Sequence, residues 1–192
     1  MWFGESGFAR GPTVTDLEMK SAHQDSKEGA NKSVPSLNTP GAGKRRKVIA
    51  IASRGGHWIQ LLRLRPALTQ SDVTFVTTEP AYKSMVEGEK FIVVCEATRN
   101  QKFRMLWLLS QIFWILLTIR PYAIMTTGAA PGYFAIRLGK LMGAKTLWID
   151  SIANAEELSL SGRLASKYAD VTLTQWSHLA SPGTAEYQGA VI

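Results

Sequence analysis

The stretch YAIMTTGAAPGYFAIRLGKLMGAKTLWIDS (residues 122–151) carries two β-rich apolar runs, YAIMTT (122–127) and TLWID (146–150), on either side of a helical segment at 132–142. Gly128 ends the first run, and Pro131 stands where the first turn of a helix tolerates a missing N–H. Both runs are continuously apolar rather than alternating, the pattern of strands covered on both faces. Strand, crossover helix and second strand make a βαβ unit, whose two strands lie parallel.

The same alternation extends in both directions. Four more β-rich runs occur, VIAIA (48–52), VTFVTT (73–78), FIVVC (91–95) and VTLTQ (171–175), and GAVI (189–192) opens another at which the chain stops. Helical stretches fit between them at 57–69, 80–87, 103–119 and 161–168. Alternating β and α elements predict the α/β class: one Rossmann-like, doubly wound parallel sheet with helices on both faces.

The 192 residues suffice for one core but not for two full α/β domains, which need roughly 300. If function needs a two-domain cleft, this chain supplies half of it. With 45% hydrophobic and 19% charged residues, a wholly disordered chain and a polytopic membrane protein are both excluded. Cys95 is the single cysteine, so a disulfide framework and a cysteine-rich zinc site are excluded too. No His/Cys/Asp cluster has metal-ligand spacing, and neither a metal nor a cofactor is expected.

Residues 1–45 hold GESG, GPT, SVPS and NTPGAG without apolar periodicity and read as a disordered arm. They lack the basic start, apolar run and cleavage site of a secretory signal. The net charge is +7; the arm has six basic and five acidic residues, so +6 falls on the predicted domain, 46–192. That balance points to an anionic partner. The basic residues are dispersed, with KRRK (44–47) one short run, and nucleic acid is not the expected partner.

Three places carry candidate chemistry. In AIASRGGHWIQLLRL (50–64) a strand ends at Ala52 and a helix opens near His57. Gly55 and Gly56 let backbone N–H groups approach a ligand, and the helix start favours an anion such as a phosphate. The motif is neither G-x-G-x-x-G nor a Walker loop, and a plain tight turn explains it as well. His57 stands at the carboxyl end of a parallel strand, suited to act as a general base or as a hydrogen-bond donor to phosphate, or else as a capping or core histidine. Ser53 and Arg54 border the turn; Arg54 either neutralises an anion or is solvated. The second place is the turn after 122–127, where Thr127, Gly128, Pro131 and Gly132 leave the backbone open. In the third, Asp150 and Asn154 enter the loop after TLWID, and Asp150 is either a base or a cap.

KFRMLWLLSQIFWILLTIR (102–120) is the most apolar stretch. Its 15 uncharged residues, Met105 to Ile119, reach about 22 Å as a helix, short of a bilayer core of about 30 Å. On a helical wheel Arg104, Ser110, Gln111 and Thr118 form a narrow polar stripe flanked by Trp107 and Trp114, with Lys102 and Arg120 at the ends. A helix lying on a membrane surface carries such tryptophans and terminal cations. A buried crossover helix is the other reading.

Taken in order, SRGGH-W-x-Q-LL-x-L-x-P, VTFVTTEP, TIRPYAIMTTGAAPGYFAIRLGKLMGAKTLWIDS, SGRLASKYADVTLTQW and YQGAVI resemble one glycosyltransferase group. It comprises the membrane-associated subunit of the split UDP-N-acetylglucosamine transferase of the dolichol pathway and its bacterial PssD-like exopolysaccharide relatives. More distantly, 46–192 is similar to the N-terminal half of MurG-type GT-B enzymes. The resemblance implies the acceptor-side half of a two-chain enzyme. It transfers a sugar (GlcNAc or glucuronic acid) from UDP to a polyprenyl-diphosphate-linked glycan, at the cytoplasmic face of the inner membrane. A small donor-binding subunit is the implied partner. Gly55, Gly56 and His57 would face the acceptor diphosphate and reacting hydroxyl, and Gly128, Pro131 and Gly132 would form the second turn. His57 or Asp150 would take the hydroxyl proton, although the family often has Glu where Asp150 stands. The eukaryotic subunit has an N-terminal membrane helix that 1–45 cannot form, which leaves anchoring to 103–119.

Overall fold

Residues 44–191 are described by a computed structural model, so almost all of the predicted arm, 1–45, lies outside the described residues. Six of the predicted runs become strands, β1 (Lys47–Ile51), β2 (Asp72–Thr77), β3 (Lys90–Val93), β4 (Ala123–Thr126), β5 (Lys145–Ile149) and β6 (Val171–Thr174), and a seventh strand is β7 (Glu186–Tyr187). They form one sheet in the order β3-β2-β1-β4-β5-β6-β7, every neighbouring pair parallel. This is the Rossmann-like sheet predicted from the alternation, with the direction of winding reversing between β1 and β4.

Four α-helices connect it: α1 (Gly56–Arg63), α2 (Lys102–Ile119), α3 (Ala129–Leu141) and α4 (Leu160–Ala165). The predicted helix 57–69 is broken because Pro66 has no N–H to continue the ladder; Arg65–Leu68 is a separate 3-10 turn. Residues 80–86 are likewise 3-10, with Glu79 capping the Ala81 N–H at 3.2 Å. The β-like run expected at 189–192 is not a strand in its described residues. The seventh strand lies earlier, at Glu186–Tyr187, and Val191 N donates instead to the Gln175 side chain, Oε1, at 2.8 Å.

The two faces of the sheet are covered unequally. Ile49, Ile51, Ile124 and Trp148 pack against Leu108, Ile112 and Leu116 of α2, Ala135 and Ile136 of α3, and Ala165 of α4. On the other face Val48, Ala50, Val73 and Phe75 pack against Trp58 and Leu61 of α1. Right-handed crossovers in opposite directions place helices on opposite faces. Beneath β4–β6 this second face therefore opens on an apolar cavity of about 500 Å³ lined by Met125, Leu147 and Leu173. Among the described residues, cover on both faces holds for the centre of the sheet but not for that side.

Candidate functional site

The carboxyl ends of β1 and β4 are neighbours in the sheet. Helices α1 and α3 leave them on opposite faces, so a crevice opens between the two turns. In the first turn Arg54 N donates to Thr78 Oγ1 at 3.2 Å and Gly55 N to the Tyr82 hydroxyl at 3.1 Å. Gly55 has φ 76°, in the left-handed region open to glycine. The first bond of α1 runs from Ile59 N to Gly55 O at 3.2 Å. The N–H groups of Gly56, His57 and Trp58 precede that ladder and retain their donor capacity. A side chain at Gly55 or Gly56 would meet nothing within 4 Å, so the space above the turn is open.

The second turn is tighter. Gly128 N donates to Thr126 Oγ1 at 3.1 Å, Gly128 has φ 132° and Ala129 follows at φ 65°. For alanine that left-handed conformation costs about 1–2 kcal/mol, a strain the surrounding structure must hold. A Cβ at Gly128 would lie 2.7 Å from both Cε1 and Nδ1 of His57, and one at Gly132 would lie 2.1 Å from Thr126 Oγ1. The glycines thus admit the histidine ring to one side of the turn and seat α3 on β4 at the other. Pro131 is buried in the first turn of α3.

His57 and Thr127 join the two turns. The His57 ring bonds through Nδ1 to Thr127 O at 2.7 Å, and Thr127 Oγ1 donates to His57 O at 2.6 Å. Arg54 is ion-paired through Nε to Glu96 at 3.0 Å, in a pair exposed enough to be exchanged at little cost. Ser53 makes only a long local bond to Arg54 O, 3.4 Å.

Asp150 belongs to a different arrangement. Its carboxylate is 2% exposed and accepts from Trp148 Nε1 (3.2 Å), Ser159 Oγ (2.6 Å), Ser159 N (2.8 Å) and Asn154 Nδ2 (3.2 Å). With four donors on two oxygens it organises the loop 151–159. Asp150, expected as a base or a helix cap, is bonded as the anchor of this loop, and Asn154 is turned inward as part of that anchor.

Behind both turns runs a buried polar network that pattern reading missed. Gln60, one helical turn beyond His57, donates to Ser151 Oγ at 3.3 Å, and Gln175 Nε2 bonds Gln60 Oε1 (3.4 Å) and Asp150 O (2.9 Å). The available signal was a glutamine among apolar residues in WIQLL and another closing VTLTQ. Trp176 and His178 clamp the outside of the loop, donating to Ile152 O (2.8 Å) and Ala155 O (2.7 Å).

Helix α2 covers the sheet with its inner face and leaves Phe103, Leu106, Phe113, Trp107 (61% exposed) and Trp114 (66%) outside. By length and composition alone its 18 residues match a membrane span, but Leu108, Ile112 and Leu116 lie in the core of the sheet. Gln111 departs from the expected polar stripe, because its Oε1 is turned in to accept from Cys95 N at 2.8 Å. Ser110 and Thr118 donate to Trp107 O (2.7 Å) and Trp114 O (2.8 Å), which satisfies their hydroxyls without water. Among the described residues no group of three or more His, Cys, Asp or Glu is placed to hold a metal.

A family model described as "Oligosaccharide biosynthesis protein Alg14 like" matches residues 48–191, nearly all of the described domain. The chain belongs to the Alg14-like family. Among solved structures, this Alg14-like domain is similar to MurG of Acinetobacter baumannii, with a TM-score of 0.62 at 14% identity over 74% of this chain and 45% of that one. It is also similar to the UDP-N-acetylglucosamine 2-epimerase of Rickettsia bellii, with a TM-score of 0.59 at 12% identity over 77% of this chain and 45% of that one. At such identities the likeness is one of fold, and the Alg14-like chain spans less than half the length of either protein. No curated protein matches it by sequence.

Proposed function

We propose that this chain is the acceptor-side subunit of a two-chain, UDP-sugar-dependent glycosyltransferase, acting on a polyprenyl-diphosphate-linked glycan. Family membership supports a place in oligosaccharide biosynthesis. The observation that carries the finer reading is the meeting of the two turns: His57 stands at the mouth of the crevice beside the free amides of Gly56, His57 and Trp58. The amides hold the acceptor diphosphate, aided by the positive end of α1. His57 takes the proton of the acceptor hydroxyl as that oxygen attacks the sugar carbon, UDP leaves, and the configuration inverts. Arg54 exchanges Glu96 for phosphate. The donor, GlcNAc or glucuronic acid on UDP, is held by a small partner subunit, and the transfer uses no metal.

The exposed face of α2 rests on the cytoplasmic side of the membrane. Its tryptophans sit at the headgroup level, and the +6 charge of 46–192 favours anionic lipid. The test is His57→Ala in the reconstituted pair. A general base contributes about 10²–10⁴-fold, so transfer is expected to fall by at least about 100-fold while the two chains still co-purify. Near-full activity with pairing retained would instead make this subunit a scaffold that recruits its partner to the membrane.

A further inference from the structure

We infer that Thr127 is the positioning residue of this site: it fixes the tautomer of His57 and leaves Nε2 as the nitrogen that receives the proton. The inference rests on the reading of His57 as the base. A carbonyl oxygen only accepts, so the 2.7 Å bond between His57 Nδ1 and Thr127 O requires the hydrogen on Nδ1. In neutral imidazole the lone pair then lies on Nε2, which has no protein partner among the described residues. Thr127 is fully buried, and its hydroxyl returns a 2.6 Å bond to His57 O, so the same two residues are joined twice in opposite senses. One bond orients the ring and the other holds the backbone of α1 at the distance the first requires. Gly128, whose Cβ would occupy the space of Nδ1 and Cε1, keeps the approach open. When Nε2 takes the proton of an attacking hydroxyl, the imidazolium carries hydrogen on both nitrogens, and Thr127 O already faces one of them. A backbone carbonyl one strand away, held in place by its own residue's hydroxyl, thereby decides which ring nitrogen does the chemistry.

The test uses the full chain labelled with ¹⁵N and read by long-range ¹H–¹⁵N correlation of the histidines, assigned by a His57→Gln variant. The expected result, with the imidazole neutral, is Nδ1 protonated and Nε2 bare. Thr127→Val removes the returning bond and is expected to give a mixture of tautomers, while Thr127→Ser restores the wild-type spectrum. In the reconstituted pair the Val variant is expected to lower kcat at least about fivefold with KM for the lipid-linked acceptor little changed, and the Ser variant to recover it. A wild-type His57 protonated on Nε2, or a folded Thr127→Val chain with unaltered tautomer and kcat, would overturn the inference. A correct tautomer with a fully active His57→Gln pair would overturn the reading of His57 as the base, and Thr127 as its positioning residue with it.

Discussion

Ser159 holds the carboxylate of Asp150 twice, its hydroxyl on Oδ1 at 2.6 Å and its backbone N–H on Oδ2 at 2.8 Å, while the same hydroxyl caps α4 by accepting from Gly162 N at 2.8 Å. One buried acid thus ends β5, closes the loop 151–159 and starts the next helix. Asp150→Ala leaves those donors unpaired, and buried unpaired groups cost about 1–3 kcal/mol each. With some relief by water, about 3 kcal/mol of stability is expected to be lost, or about 6–12 °C in Tm for a chain of this size. Thermal melts followed by circular dichroism check this; an unchanged Tm would contradict the anchoring role.

Gly132 is one of the close contacts between α3 and β4. Its replacement by Ala drives a methyl to 2.1 Å from Thr126 Oγ1, an overpacking expected to cost about 1–3 kcal/mol. Thr126→Ala in the same chain removes the clashing oxygen, so the double variant is expected to lose less stability than the sum of the singles. Urea denaturation of the four proteins measures that coupling, and strict additivity would refute it.

Trp107 and Trp114 are largely exposed on α2. Replacing both by Ser is expected to leave stability within about 0.5 kcal/mol. Cosedimentation of the full chain with vesicles containing anionic lipid is expected to fall at least about tenfold in affinity. Unchanged sedimentation would remove α2 from the membrane contact.

Asp170 joins the end of α3 to β5: it pairs with Lys140 and accepts from Thr146 N and Oγ1, both at 2.9 Å. The Lys140 bond, followed by those from Thr146, holds its carboxyl below the ordinary aspartate range despite partial burial. A carboxylate with a depressed folded pKa adds stability that is fully present above its unfolded value, about pH 4, and is lost as pH falls through the folded value. Asp170→Asn is therefore expected to be less stable than wild type at pH 7 and to converge with it below about pH 4. Urea midpoints from pH 7 to 2.5 follow the difference; a gap constant with pH would show that charge is not its origin.

Much of the fold is legible in residue order because continuous apolar runs separated by helical stretches have one economical arrangement, a parallel sheet. The runs VIAIA, VTFVTT and YAIMTT become β1, β2 and β4 almost residue for residue. Local chemistry also reveals His57, Gly55 and Gly128, because glycine and histidine at strand ends are uncommon enough to be noticed. The helix expected at 57–69 is cut short, and Gln111 leaves the expected polar stripe, where a missing backbone donor at Pro66 and a cross-element bond override periodicity.

The sequence by itself determined the class, the strand-helix alternation and the two glycine turns, since each depends on residues adjacent in the chain. Only the tertiary structure decided that those turns meet. His57 and Thr127 are 70 positions apart, and nothing in either neighbourhood encodes their pairing until β1 and β4 lie side by side. The same holds for Asp150, whose donors reach it only after the loop folds back. A carboxylate at a strand end reads as a base or as a cap until its partners can be counted.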